Sequence, residues 1–445
     1  MLPVRDVIVL TIIIASLPVC FFRPYFGILM WTVVALLNPH RFAWGMAYNQ
    51  FPVAVAVGVA TLAGFVVFFP GLRCFFSRDV YLLMVLWLWF TLTTVHNTAM
   101  PEFMHFADDT WFRWRFVSKV LLMTLVTIAL VNSWVRLRYL LLVIAGCLAV
   151  LVLKAVPFMI MTGGSFRLYG PAGSMLDDNN ALGLALNMTL PIFFFLARTE
   201  TDRRIKWLAI ITFVATVPAI FFTYSRGALI GLAAVFLLMV MRLRQRLLLL
   251  PILLLAGLFA VYLTPEKWQQ RMNFQREGAL MDDSAMSRIN AWTYSWHLAL
   301  DYPLLGGGFE AFTPELFRIY APNARDVHGP HSIYFGVLAE HGFIGLFLYL
   351  SLITSCFISL HQVRKHALVV GDAQGVNYAI MLQFSLVGFL VSGAFLGRAY
   401  FDYFFLIWAC TIILKRLYRL EMAWDDVAVP ETDAISTATL IPSHE

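Results

Sequence analysis

Leu140-Leu141-Leu142-Val143-Ile144-Ala145-Gly146-Cys147-Leu148-Ala149-Val150-Leu151-Val152-Leu153 is an unbroken run of apolar and small residues, closed by Lys154. It lies inside a longer apolar stretch, 136–161. About 20 such residues cross the hydrocarbon core of a bilayer as a helix. The run therefore decides the class of the protein, and the rest of the chain repeats it. Of the 445 residues 60% are hydrophobic, 15% aromatic and only 13% charged. Soluble domains carry about 25% charged residues, so this chain cannot coat a globule of its size. It is equally too apolar to be disordered. The reading is an all-α, polytopic membrane bundle.

Working outward, apolar runs that span or nearly span a bilayer occupy 7–22, 24–37, 51–70, 80–95, 116–131, 136–161, 179–197, 205–223, 225–241, 247–263, 331–360, 375–397 and 399–414. The first two are divided only by Arg23-Pro24, so the expectation is 12 or 13 transmembrane helices. The run 7–22 lacks a small-x-small cleavage site and reads as a retained helix. Sixteen lysines and arginines fall in one set of alternate loops, from Arg73 and Arg78 through Arg203, Arg204 and Lys206 to Lys415, Arg416 and Arg419. Six fall in the opposite short loops: Arg41, Arg113, Arg115, Arg167, Arg226 and Arg398. The positive-inside rule makes the first set cytoplasmic. The expected organisation is N-terminal transmembrane helices over 1–263, one long external subdomain with short helices over 264–330, C-terminal transmembrane helices over 331–417 and a disordered cytoplasmic tail over 418–445. The net charge of +6 follows from the loop basic residues, and no nucleic-acid-binding motif accompanies it. The five cysteines are scattered, with no CxxC or Cys/His cluster that would suggest a zinc site or a disulfide framework.

Function must then lie in the few polar residues, because each is costly near lipid. Tyr224-Ser225-Arg226-Gly227 joins two apolar runs on the external side. It is either a hairpin tip with a snorkelling arginine or an arginine at a helix N-terminus, where backbone N–H groups already favour an anion. Arg113 and Arg115, beside Trp111 and Trp114, are either interfacial anchors or substrate groups. Lys154 snorkels, pairs or touches substrate. Ser284 reads as an N-cap, with Arg288 a turn later as an ion-pair partner of Asp282 or Asp283 or as a second phosphate ligand. Gly306-Gly307-Gly308 reads as a turn. His328-Gly329-Pro330-His331-Ser332-Ile333-Tyr334 opens an apolar helix at His331. A histidine there is a cap, a packed polar group or a general base suited to neutral pH. Three histidines within fourteen residues (His328, His331, His341) could suggest a metal, but Gly-Pro splits the first two and His341 lies nearly three turns deeper.

The span from Arg288 to Gly342 resembles the signature region of the O-antigen ligase/polymerase superfamily, WaaL-type ligases and Wzy-type polymerases. The matching elements are Ser287-Arg288, Trp292, Pro303, Gly306-x-Gly308, Phe312, His331-Ser332-x-Tyr334, Leu338, Glu340 and Gly342. Tyr224-Ser225-Arg226-Gly227 resembles the family's second arginine motif, and Asn179-Asn180 a weaker one. Leu37-Asn38-Pro39-His40-Arg41-Phe42-Ala43-Trp44-Gly45 looks like the exosortase-associated O-glycosylation ligase subgroup. Ser332 departs from the asparagine that many members carry after the histidine.

The resemblance implies a GT-C-like glycosyltransferase of the bacterial inner membrane, with its active site facing the periplasm. A glycan on undecaprenyl diphosphate would be transferred to a hydroxyl of lipid A–core, or of another acceptor, with inversion. His331 would be the catalytic base. Arg226 and Arg288 would hold the diphosphate, with Tyr224, Ser225, Tyr334, His328, Arg113 and Arg115 as further candidate substrate-binding residues. Neither a metal nor another cofactor is expected. Membrane lipid is a partner and nucleic acid is not. The residues are compatible with this: there is no DxD motif and no Walker motif, and no carboxylate dyad stands out. The alternatives are a Wzy-type polymerase, a lipid-linked glycan flippase and a non-enzymatic scaffold. A flippase would need charges along a central cavity, whereas Arg226, Arg288 and His331 map to one membrane face.

Overall fold

In lipid a backbone N–H or C=O left unpaired costs several kcal/mol, so each apolar run must close its hydrogen bonds internally as a helix. The computed structural model describes residues 4–42, 52–68, 71, 75–242, 251, 283–324 and 326–421. Among these residues there is no strand. Twelve of the thirteen apolar runs are helical, and the thirteenth, 247–263, lies almost wholly outside the described residues. So do Arg73, Arg244, Arg246, Asp282 and the tail after Glu421.

Among the described residues the α-helices are α1 (Val4–Phe22), α2 (Pro24–Leu37), α3 (Val53–Val67), α4 (Arg78–Thr98), α5 (Ala107–Leu130), α6 (Trp134–Met161), α7 (Asn179–Thr199), α8 (Arg203–Phe222), α9 (Arg226–Arg242), α10 (Asp283–Asp301), α11 (Pro314–Tyr320), α12 (Ile333–Val369), α13 (Ala373–Gly393) and α14 (Asp402–Glu421). Seven of them are long and apolar enough to cross a membrane: α1, α4, α6, α7, α8, α12 and α13. The protein is a multi-pass, all-α membrane bundle.

Short polar side chains start the helices. Ser77, Ser133, Asp178, Asp202 and Asp372 each accept a backbone N–H of the first turn of α4, α6, α7, α8 and α13, satisfying donors that a helix start leaves open. Inside the bundle, polar side chains join helices. Helix α7 is almost wholly buried, packed against α6, α8, α9 and α13. Its Asn187 donates to the Ala228 carbonyl of α9 at 2.7 Å and to Ser392 Oγ of α13 at 2.9 Å. Such bonds between small-residue helix faces are a main source of association in lipid.

The helix ends form two unlike faces. One is basic, and several of its charges are tied between helices. Arg138 Nε of α6 donates to Glu200 at 2.9 Å, and Lys415 Nζ of α14 donates to Asp79 and to Ser359, each at 2.9 Å. The opposite face carries α10 and α11. Tyr294 of α10 stacks on Phe317 of α11 with ring centroids 4.3 Å apart, and both bury with Phe103, Leu298 and Ala339. This layer covers the start of α12.

Helix α12 breaks early. Gly342 has φ 67° and ψ −171°, a conformation outside the helical region. The triple-glycine turn docks into that break. Gly307 N donates to the Ala339 carbonyl at 2.8 Å, Gly308 N to the Glu340 carbonyl at 2.9 Å, and Phe343 N to the Pro303 carbonyl at 2.8 Å. A Cβ on Gly306 would stand 2.6 Å from the Ala339 oxygen. The turn thus replaces the hydrogen bonds that the kink takes from α12.

Candidate active site

The short first segment of α12 carries the histidine motif at its start. The helix begins at Ile333, two residues later than His331, because His331 itself takes a left-handed φ of 45°. That turn is braced on both sides. Trp292 of α10 donates its indole N–H to the Pro330 carbonyl at 2.7 Å and stacks on Phe335. Tyr334 donates its hydroxyl to the Leu390 carbonyl of α13 at 3.2 Å. His328 lies beside His331, with ring centroids 5.1 Å apart. Its Nδ1 is 2.6 Å from the Gly329 carbonyl. A carbonyl can only accept, so Nδ1 carries a proton, and Nε2 is bonded to the Ser287 hydroxyl.

His331 borders a cavity of about 490 Å³. Arg113, Arg398, Asp178, Glu310 and Glu340 also line it. Burial pushes the His331 imidazole down to about 4; His328, Arg288 and Arg398 add to this, and Asp178 opposes it. The ring is therefore neutral at physiological pH and can accept a proton. The polar wall is tied together. Arg398 pairs with Asp177 at 2.9 Å and with Asp178. Arg113 Nε lies 3.5 Å from Glu310. Buried Glu340 accepts the Glu310 backbone N–H at 3.1 Å and the Tyr400 hydroxyl at 2.5 Å.

Among the candidates from the sequence, His331 and Arg113 face this cavity together, with His328 adjoining. Arg288 lies close enough to act electrostatically on His331. Arg226 is the first residue of α9, half-buried, and does not line the cavity. Its neighbour Gly227 packs on Ser392 and Phe395, at the start of the connection that carries Arg398. Tyr224 and Ser225 shape the turn before α9. Tyr224 has φ 55° and donates its hydroxyl to the Gly164 carbonyl, and Ser225 Oγ accepts the Ala228 N–H at 3.2 Å. Arg115 is exposed on α5, away from the cavity. Lys154 sits over the Phe42 ring at 4.7 Å, a cation–π contact. His341 is deep in the bundle, its Nδ1 bonded to Thr93 at 2.7 Å and its ring stacked on Phe90.

Sequence reasoning missed Arg398, Asp178, Glu310 and Tyr400. A signal for Arg398 existed: it is one of the six basic residues in the loops that the positive-inside count sets apart. Asp178 precedes Asn179-Asn180 directly; Asn179 donates to the Thr223 carbonyl at 2.7 Å and Asn180 lines the cavity. Tyr400→Phe removes the hydroxyl held by Glu340 and is expected to cost about 2 kcal/mol, read as a lower melting temperature in detergent. An unchanged melting temperature would mean that Glu340 finds another donor.

Residues 211–350, which contain α9, α10, α11 and the histidine turn, match the family model described as O-antigen ligase. Over these residues the chain is similar to the O-antigen ligases. Residues 4–201 match a second model, described only as a family of unknown function. A curated relative, the O-antigen ligase of Pseudomonas aeruginosa, is 28% identical over 216 residues, covering 47% of this chain. The chain spans about half the length of that relative, 48%. The superfamily region and the cavity coincide at His331, Ser332, Glu310 and Glu340; Arg113, Asp178 and Arg398 reach the cavity from outside it.

Proposed function

We propose that the protein is a glycosyltransferase of the O-antigen ligase type. It moves a glycan from undecaprenyl diphosphate to a hydroxyl of lipid A–core, on the periplasmic side of the inner membrane, without a metal. The observation that carries the reading is a neutral histidine on the wall of a cavity that also holds Arg113 and Arg398. The cavity lies at the bundle face opposite the basic one, which is the outward face by the positive-inside rule.

In this reading the acceptor hydroxyl gives its proton to the free imidazole nitrogen of His331 as its oxygen attacks the anomeric carbon. The bond from that carbon to the diphosphate oxygen breaks, and the leaving group takes the electron pair. A single displacement inverts the anomeric centre. Charge grows on the leaving diphosphate, where arginines stabilise the transition state. Arg288 and Arg226 are assigned this role. Arg113 and Arg398, already paired with carboxylates, orient the polar glycan. An apolar groove of about 330 Å³ between α2, α3 and α5, lined by Trp31, Val34, Gly58 and Met123 and also by Lys119 and Asp402, suits a lipid chain.

The test uses purified protein in lipid vesicles with undecaprenyl-diphosphate glycan, lipid A–core and EDTA. A shift of lipid A–core on a gel supports the ligase. Longer carrier-linked glycans formed without the core would make it a Wzy-type polymerase, and glycan crossing the bilayer unreacted would make it a flippase. Arg226→Lys is expected to lower turnover by roughly tenfold or more, because lysine lacks the planar fork that grips phosphate. Near-normal turnover in that variant would remove Arg226 from the site.

A further inference from the structure

We propose that the basic face carries a second binding site, for an anionic glycerophospholipid. A groove of about 280 Å³ opens there between α9, α12 and α13. Arg242, His361 and Arg364 line it, and among the described residues no carboxylate does. Its other walls are largely apolar, with Phe357, Phe384 and Val387 facing the space. Arg242 closes α9 and is exposed, and Arg364 is half-buried in α12.

Two features point to a ligand. On the same face Arg138 meets Glu200 and Lys415 meets Asp79, while Arg136 and Arg416 are held by backbone carbonyls. Among the described residues no salt bridge joins Arg242 or Arg364 to an acid, and the buried Nε of Arg364 has no hydrogen-bond partner. A buried donor without an acceptor is destabilising, and two guanidiniums in one groove repel. A phosphodiester between them answers both, because guanidinium pairs with phosphate through parallel N–H bonds. The apolar walls selects the source of that phosphate. Inorganic phosphate would leave Phe357, Phe384 and Val387 uncovered, whereas a phospholipid lays an acyl chain against them. Basic pockets between transmembrane helices bind anionic headgroups on this principle. The site is remote from the histidine cavity, on the other face, so it stands or falls independently of the proposed transferase activity.

The experiment measures lipid retention by native mass spectrometry and melting temperature for the full chain in detergent. The probes are phosphatidylglycerol, phosphatidylcholine and inorganic phosphate. Phosphatidylglycerol should stay bound and raise the melting temperature, and the other two should not. Arg242→Gln and Arg364→Gln should each lower retention by roughly tenfold, the scale of one charge-assisted contact. Because Arg242 is exposed, its variant tests the charge without disturbing the core, should the Arg364 variant fail to fold. Equal retention of phosphatidylglycerol by Arg242→Gln and wild type, or equal binding of phosphatidylcholine, would overturn the site. Stabilisation by phosphate alone to the same degree would make it a free-anion site and overturn the lipid.

Discussion

His331→Ala is expected to lower glycan transfer by a factor of about 10²–10⁴, the range supplied by a positioned general base. Folding should be retained, because the side chain borders a cavity and the brace from Trp292 reaches the backbone of Pro330, not the imidazole. Transfer is read on a gel with EDTA present, and the melting temperature is read in parallel. Loss of transfer with an unchanged melting temperature supports the base. Full activity in the variant would exclude it. The pH profile of the wild type gives a second reading of the same group. In the proposed mechanism its neutral form is the active one, and burial has pushed its titration down to about 4. Activity should therefore hold as pH falls from 7 to about 5 and drop only as pH approaches 4. A histidine at its ordinary value of about 6.5 would be only about one-tenth neutral at pH 5.5. A profile already failing there would mean that His331 is exposed to water and charged by protonation in the usual range.

Gly342→Ala is expected to destabilise the bundle by roughly 3 kcal/mol or more, or to prevent folding. Two costs add. The backbone, at φ 67° and ψ −171°, occupies a region that only glycine visits readily, worth about 1–3 kcal/mol. An added Cβ would then lie 2.4 Å from the Leu304 carbonyl oxygen, which is backbone and cannot rotate away. The comparison variant is Gly163→Ala, in the turn after α6. Gly163 also has positive φ, at 55°, but nothing lies within 4 Å of its Cβ direction. It should cost only about 1 kcal/mol. Melting temperature and the yield of monodisperse protein in detergent check both. Equal behaviour of the two variants would mean that the kink at Gly342 can slide, and that the 303–308 turn is not locked into α12.

The superfamily signature over 288–342 gains a physical reading from these contacts. Its glycines and Pro303 form the turn that docks into the break at Gly342. Its Trp292 holds the backbone before His331. Its Glu340 ties the Glu310 backbone to Tyr400. Much of the motif therefore holds a short helix at one angle so that its first residues meet the cavity. Serine in place of asparagine at Ser332 fits this: Ser332 is buried and caps α12 without a side-chain hydrogen bond.

The sequence by itself determined the class of the protein and the run of its helices. Lipid offers no partner to a backbone group, so a run such as 140–153 has one stable solution, and local composition is enough to read it. Local spacing marked the stretch around His331, because a Gly-Pro break before an apolar helix can be read along the chain; its role as a base was implied by the family resemblance. What only the tertiary structure decided is the company that His331 keeps. Arg398 meets Asp177 and Asp178 across about half the chain, and Glu340 meets Tyr400 from the next connection but one. The same holds for the separation of Arg115 from Arg113, which depends on which side of α5 faces the cavity. Those meetings depend on helix order and rotation within the bundle. Nearly every transmembrane helix is apolar around its whole circumference, so its pattern carries little record of which side faces a neighbour and which faces lipid.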